Sequence, residues 1–216
     1  TRVSITSDGV QADRGGHSPA LSADGRLVSF VSDARNLIPD GSFANLFVHD
    51  RLTGQTSPVS VASGGGVANA GAGGPISGQG RFVCFSSTAT NLVPDDTNGK
   101  EDVFVHDRHL AQTTRVSVSS AGHQASGDSS ACSISGDGRF VTFESIANDL
   151  VPGDTNQNWD VFVHDRLTRQ TARVSVASNG EQGNGISVRG RISANGRIVS
   201  FVSAADNLDG PPGGIF

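Results

Sequence analysis

The sequence predicts an all-β fold made of repeated four-stranded units, and three observations lead to this prediction. Valine outnumbers leucine 23 to 10 and glycine occurs 28 times, a balance typical of strands joined by tight turns. The segment TRVSI at Thr1 returns in related form three times, at steps of 56, 57 and 58 residues. No stretch shows the apolar period of a helix. We therefore predict a β-propeller, in which repeated sheets stack face to face around an axis.

Three further sequence markers follow the first in constant order. The first of them is a turn and an apolar strand, which reads SADGRLVSF, SGQGRFVCF, SGDGRFVTF and SANGRIVSF in the successive units. A loop follows as NLIPD, NLVPDDTN and DLVPGDTN, and then a segment LFVHDR or VFVHDR. These markers place the repeats near residues 1–57, 58–114, 115–172 and 173–216, the last of them incomplete, within a single domain.

The third unit shows how one repeat divides into strands. The pair Asp137-Gly138 between extended segments is a strong hairpin signal. We predict strands near residues 133–135, 139–144, 161–165 and 173–176, with a long loop between the second and the third. Both faces of the second strand are rather apolar, which is typical of a strand covered on both sides.

The combination of a serine, an Asp-Gly-Arg turn, an apolar strand and a later strand ending in aspartate resembles the TolB-like propeller repeat, a relative of the WD repeat. Ser135–Phe143 and Val161–Asp165 carry this resemblance, as do their counterparts in the other units. The Asp-Thr-Asn loop and His-Asp ending resemble a variety found in predicted bacterial secreted and cell-envelope proteins. The resemblance covers essentially the whole chain and implies an extracytoplasmic location, whether periplasmic, cell-surface or secreted. It leaves function open, because such propellers serve as scaffolds, binding modules and enzyme domains.

The resemblance also implies that the RVSV segment is the outermost strand of the preceding blade. The chain then encodes roughly three and a half blades, with a fourth blade that stops within its third strand. An open stack of sheets would leave unpaired edges. We therefore expect either a part of a longer propeller or a ring completed by a protein partner or a second copy, two copies giving about seven blades.

Composition narrows the classes of partner. The formal net charge of −5, from 16 Lys+Arg against 21 Asp+Glu, argues against nucleic acid, whose phosphates need a basic surface. No run approaches the ~18 apolar residues of a membrane span, and no signal-peptide pattern is present. Because methionine is absent, we expect a processed form, a fragment or a partial sequence.

The two cysteines lie in neighbouring units. Cys84 falls in the second predicted strand of unit two, and Cys132 falls near the first strand of unit three. Adjacent blades could bring the two thiols together. We nevertheless expect both cysteines to be buried and free, because free cysteine is among the most buried residue types.

A histidine-aspartate pair ends the third strand of each complete unit, as His49-Asp50, His106-Asp107 and His164-Asp165. These pairs look like acid/base groups, but a residue present in every unit is expected to build the blade. We predict that the aspartates accept turn N–H groups and that the histidines bond nearby, so no catalytic residue is predicted. The recurring arginines are predicted to pair with an acid or a carbonyl of their own blade; they are Arg26, Arg81, Arg139 and Arg197.

The loop between the second and third strands is the best functional candidate. Units two and three share the pattern Asp-Thr-Asn-x-x-x-Asp, and its alternate oxygens suit calcium, which takes six to eight oxygen ligands. The alternative is that the same side chains only cap the turn by bonding its backbone. The candidate calcium ligands are Asp96, Asn98 and Asp102 in unit two and Asp154, Asn156, Asn158 and Asp160 in unit three.

These observations favour a non-enzymatic extracytoplasmic scaffold or protein-binding module, with calcium as a loop-rigidifying ion if the loops bind it. One alternative is the propeller portion of a larger secreted hydrolase or lyase whose catalytic residues lie outside this chain. A carbohydrate-binding propeller is a further alternative. It is disfavoured because Trp159 is the single tryptophan and tyrosine is absent, whereas sugar sites stack rings in each blade.

Overall fold

The computed structural model describes residues 1–38, 43–210 and 213–216, and their strands form four antiparallel sheets. The first sheet consists of β1 (Gly16–Leu21), β2 (Leu27–Ser32), β3 (Asn45–Asp50) and β4 (Thr56–Pro58). The second consists of β5 (Ala72–Gly73), β6 (Phe82–Ser87), β7 (Asp102–Asp107) and β8 (Gln112–Arg115). The third consists of β9 (Ser129–Ile134), β10 (Phe140–Ser145), β11 (Asp160–Asp165) and β12 (Gln170–Arg173). The fourth consists of β13 (Ser187–Ile192), β14 (Val199–Ser203) and β15 (Gly214–Ile215).

This architecture confirms the predicted all-β propeller of four-stranded blades. Strands follow chain order within each sheet, and the first strands β9 and β13 contact each other from adjacent sheets. The outer strands of the first three sheets end at Pro58, Arg115 and Arg173. Across the described ranges the chain forms no helix, and therefore none that could cross a membrane.

Two strand predictions in the third unit need correction. The first strand, β9, begins four residues earlier than predicted because its edge pairs with β10 from Ser129 onward. The outer strand was predicted at residues 173–176 but spans Gln170–Arg173. After Arg173 the chain leaves the sheet: Ser175 turns its hydroxyl onto Asp160, and Val176 pairs with Gln182 in a hairpin between blades.

Each sheet is held by one aromatic pair at its centre. The rings lie on the second and third strands, or directly after the third strand in the fourth sheet. Their centroids are 5.6 to 5.7 Å apart in the pairs Phe30–Phe47, Phe85–Phe104, Phe143–Phe162 and Phe201–Phe216. The second strand of the third sheet is buried on both faces, as predicted from its composition, since Val141, Thr142 and Phe143 are all fully buried. The neighbouring blades supply this cover.

In the second, third and fourth blades, the glycine of the turn between the first two strands contacts a side chain of the preceding blade. Gly138 has a φ of +76°, and a Cβ at this position would overlap the ring of Phe82. Gly80 receives Leu27 and Gly196 receives Phe140 in the same way. We call this contact the turn joint.

Backbone hydrogen bonds reinforce the turn joint at each blade interface. Ala23 N donates to Gly78 O at 2.8 Å, and Gly136 N donates to Ala194 O at 2.8 Å. The Arg166 guanidinium lies over the Phe82 ring, 4.3 Å from its centroid, and donates to Gly138 O at 2.7 Å.

The expectation of free thiols was wrong. Cys84 on β6 and Cys132 on β9 form a disulfide between the second and third blades, with their Cα atoms 6.3 Å apart. The physical reason is the stacking of adjacent blades, which brings the second strand of one sheet against the first strand of the next.

We predict that Gly138→Ala lowers the free energy of unfolding by about 2–4 kcal/mol, because the new methyl group adds overlap with Phe82 to the cost of a positive φ. The control is Gly122→Ala: Gly122 has a φ of +86° and no neighbouring atom within 4 Å, so it should lose only about 1 kcal/mol. Urea denaturation measures both variants. Equal losses would contradict the turn joint.

Candidate functional site

The Asp-Thr-Asn loop of the third blade closes around an arginine at the end of the outer strand. Arg173 Nη1 lies 3.2 Å from Asp154 Oδ1 and 3.7 Å from Asp160 Oδ2. Asn156 Nδ2 donates to Asp160 Oδ2 at 3.0 Å, and Ser175 Oγ donates to Asp160 Oδ1 at 2.5 Å. The carboxylate oxygens of Asp154 and Asp160 therefore face one guanidinium, one amide and one hydroxyl of the same blade.

The second blade repeats this cluster. Arg115 Nη1 lies 3.3 Å from Asp96 Oδ1 and 3.2 Å from Asp102 Oδ2. Asn98 Nδ2 donates to Asp102 Oδ2 at 2.9 Å, and Ser117 Oγ donates to Asp102 Oδ1 at 2.5 Å. We call the two sets the arginine clusters.

The structure brings most of the predicted calcium ligands together but sends one elsewhere. Asp154, Asn156 and Asp160 meet in one cluster, whereas Asn158 directs its Nδ2 toward Asn184 O at 3.4 Å. Asn156 Oδ1 accepts the Asn158 backbone N–H at 2.9 Å, which is the bond expected of a turn cap.

The arginine clusters are buried, and burial shifts the pKa of three of their aspartates. Burial raises the pKa of Asp96, of Asp154 and of Asp160 above the usual aspartate range. In the third blade the Arg173 side chain is 9% exposed, so one guanidinium charge faces two aspartate side chains away from water. The guanidinium thus lies among the predicted calcium ligands.

Within the described ranges, no group of three or more His, Cys, Asp or Glu side chains has the arrangement of a metal site. Calcium binding by these loops therefore stays a prediction, and the ion would have to displace or join an arginine. The two arginines were not singled out by the sequence reasoning. They follow the loops at a constant distance in both units, and this spacing was the available signal.

The recurring histidine-aspartate pairs build the blades, as predicted. Arg26 makes a two-pronged contact with Asp50, with Nε and Nη2 at 2.9 and 2.6 Å from its two carboxylate oxygens. Asp50 also accepts the Leu52 backbone N–H at 2.9 Å. These bonds hold the pKa of Asp50 well below its usual range. The same pairing joins Arg81 to Asp107 and Arg139 to Asp165.

Each histidine of these pairs bonds a threonine of the outer strand. His49 Nδ1 lies 2.9 Å from Thr56 Oγ1, and Thr56 Oγ1 donates to Ile5 O at 2.6 Å. Because the hydroxyl proton is committed to the carbonyl, the imidazole Nδ1 must donate. Burial lowers the pKa of His49, which favours the neutral ring. The same bond recurs in the next two blades, so the histidines serve structure.

Glu144 is a candidate functional residue that was not predicted from the sequence. It is a buried carboxylate on β10 that accepts the backbone N–H group of Arg189, on the first strand of the next blade. Burial raises the pKa of Glu144. Its departure from the repeat was the available signal, because the same position in the other units holds Val31, Ser86 and Val202.

No family model matches the chain, and no curated protein matches it. Among solved structures, TolB from Acinetobacter baumannii superposes with a TM-score of 0.56 at 18% identity, over 90% of this chain and 39% of that chain. The fold is a TolB-like β-propeller. The putative TolB from Agrobacterium tumefaciens gives a TM-score of 0.56 at 19% identity, over 90% of this chain and 56% of its own.

A third match is the β-propeller domain of the Trilobed protease from Pyrococcus furiosus, which is described as having an open velcro topology. Its TM-score is 0.54 at 10% identity, over 91% of this chain and 51% of that chain. The chain thus covers between 39% and 56% of the length of these three matched chains. Their likeness establishes the fold of the TolB-like propeller and leaves the activity of this chain open.

We predict that Arg173→Met lowers the free energy of unfolding by about 3 kcal/mol, because it leaves two buried carboxylates without their cation. Removing the guanidinium raises the pKa of both aspartates further, and a raised pKa in the folded state favours folding as the pH falls. The deficit should therefore be largest near pH 8 and shrink toward about pH 5. Urea denaturation across this range measures it, with the exposed Arg169→Met as control.

The same variant tests calcium. If the guanidinium takes the cation's place, calcium should raise the melting temperature of Arg173→Met more than that of the parent chain. An equal rise in both proteins, removed by a chelator and by Asp160→Asn, would instead show that calcium binds beside the arginine.

Proposed function

We propose that this chain is a non-enzymatic propeller module that acts outside the cytoplasm as a scaffold or protein-binding element. The support comes first from its titratable groups. The histidine-aspartate pairs and the arginine clusters recur by blade: each histidine bonds a threonine, and each cluster arginine lies beside the aspartates of its own blade. Such groups stabilise blades and are not poised for proton transfer to a substrate.

The disulfide supports the extracytoplasmic part of the proposal. Cys84 and Cys132 are both buried, at 0% and 4% exposure, and are paired across a blade interface. Structural disulfides persist in oxidising compartments and are rare in the bacterial cytosol of mesophiles. This bond is an observation independent of the family resemblance.

The binding part of the proposal is carried by one observation, the open face of the fourth sheet. Ile198 is 66% exposed, and Ser200 and Val202, which alternate with it on the same side of the sheet, are half-buried. The residues at the Ser200 position in the first three blades are fully buried; they are Ser29, Cys84 and Thr142. We call Ile198, Ser200 and Val202 the trailing face and propose that a further blade covers it.

A second candidate function is that of the propeller part of a larger enzyme, because two of the structures that match the chain are a protease and a lyase. The tricorn protease gives a TM-score of 0.52 with 16% of its chain covered, and the oligogalacturonate lyase from Vibrio parahaemolyticus gives 0.52 with 51% covered. In this candidate the catalytic residues would lie outside the present chain.

Appending a blade tests whether the trailing face accepts one. Because Phe216 corresponds to Phe162, a copy of residues 163–216 fused after Phe216 would complete the fourth blade and begin a fifth. We expect a higher melting temperature and slower amide exchange at Val199 and Val202, since buried strands exchange only on larger openings. The control is the same extension with Ile198→Glu. An extended chain whose β14 amides exchange as before would contradict the proposal.

The compartment is tested by counting thiols. We expect the chain exported to a periplasm to show no reactive thiol after denaturation without reductant, and the same chain made in a reducing cytosol to show both. Reduction should cost about 2–4 kcal/mol of stability. A native exported protein with two free thiols would contradict the disulfide and remove this support for the location.

A further inference from the structure

We propose that the blade covering the trailing face is the first blade of a second copy of this chain, so that two chains join head to tail. This inference rests on the proposed function of the trailing face. The second copy would make the same contacts that join adjacent blades at the three interfaces within one chain.

The three internal turn joints provide the template. In each of them an apolar residue that follows the turn arginine packs on the turn glycine of the next blade. The pairs are Leu27 with Gly80, Phe82 with Gly138, and Phe140 with Gly196. Ile198 holds the same repeat position in the fourth sheet, follows Arg197, and is 66% exposed.

The first blade presents the other half of this joint. Gly25 has a φ of +66°, and only the Arg51 guanidinium, at 3.9 Å, comes near the position of a Cβ. Leu21, on β1, is 60% exposed, whereas its counterparts Ile76 and Ile134 are 6% and 9% exposed beneath a preceding blade. We call Leu21, Ala23 and Gly25 the leading face.

The backbone of the two faces is also complementary. The internal series runs from the turn of one blade to the turn of the next, as in Gly136 N to Ala194 O at 2.8 Å. Continued by one step, Ala194 N–H would donate to Ala23 O of the second copy. Ile198 would pack on Gly25 of the second copy at the same time.

The amino-terminal residues fit the same arrangement. Thr1-Arg2-Val3 repeats Thr114-Arg115-Val116, which ends an outer strand and leaves it. In the second blade Val116 N donates to Val103 O at 2.8 Å. Val3 of the second copy would make the corresponding bond to Ile215 O, at the edge of β15 that lacks a fourth strand among the described residues.

Two copies supply eight sheets, which is one more blade than the sequence estimate of seven. Eight blades lie within the usual range for closed propellers. A head-to-tail contact of this kind closes into a ring when the second joint repeats the first. Both joints would then be equivalent, and neither open face would remain.

The mass in solution of the particle formed by this 216-residue chain gives the first test. We expect twice the 22.2 kDa of one chain, and expect Ile198→Glu to reduce it to a single chain because a carboxylate would be buried on Gly25. The control is Leu167→Glu, at a residue that is 73% exposed on a turn of the third blade, and it should leave the mass doubled.

A cross-link that copies the internal disulfide gives the second test. Ser200 holds the repeat position of Cys84, and Pro19 holds that of Cys132. A chain carrying both Ser200→Cys and Pro19→Cys should form covalent dimers under mild oxidation, whereas either single variant should not. This pattern identifies the trailing and leading faces as the contact.

The remaining outcomes overturn the inference. A parent chain that stays at 22.2 kDa at high concentration, cross-links formed by one cysteine alone, or open-ended oligomers would each exclude a closed ring of two copies. If the appended copy of residues 163–216 still covers the trailing face, the proposed function stands and only the second copy is wrong as its partner.

Discussion

The fold depends on the contact between the turn glycine of one blade and an apolar side chain of the preceding blade. An isolated four-stranded sheet of this sequence would expose apolar residues on both faces, because β10 alone carries Val141 and Phe143 on one side and Phe140 on the other. Burial therefore requires neighbours. The glycine at the turn, held at positive φ, lets the backbone approach an apolar side chain closely enough to seal the interface. Stability is then largely a sum over adjacent units, as in other repeat proteins.

Each interface adds one contact of its own to this shared joint. Between the first two blades Val31 packs against Gly73. Between the second and third, the disulfide crosses at a neighbouring position. Between the third and fourth, the buried carboxylate of Glu144 accepts the Arg189 backbone N–H. Each blade interface therefore has one contact that the other two lack.

Most of the fold could be predicted from the sequence because the repeat aligns four versions of each element. Asp-Gly turns, apolar second strands and the His-Asp ending each recur, and their recurrence correctly indicated structural roles for His164 and Asp165. The outer strand was misplaced because Val174 and Val176 read as strand residues although the chain leaves the sheet there. Contacts between blades were the part that could not be read, because Cys84 with Cys132 and Glu144 with β13 join residues that share no local pattern. The loop aspartates were recognised as a cluster, but their arginine partners lie beyond the next strand in sequence.

A double-mutant cycle between Phe82 and Gly138 tests the central claim most directly. If the turn joint holds adjacent blades together, Gly138→Ala is costly because the methyl group meets the Phe82 ring. In a Phe82→Ala background the same substitution should then cost only the positive-φ term, giving a coupling free energy of about 1–3 kcal/mol. If the two substitutions are additive within about 0.5 kcal/mol, the glycine is required by its own turn alone, and the joint between blades would not be what holds the propeller together.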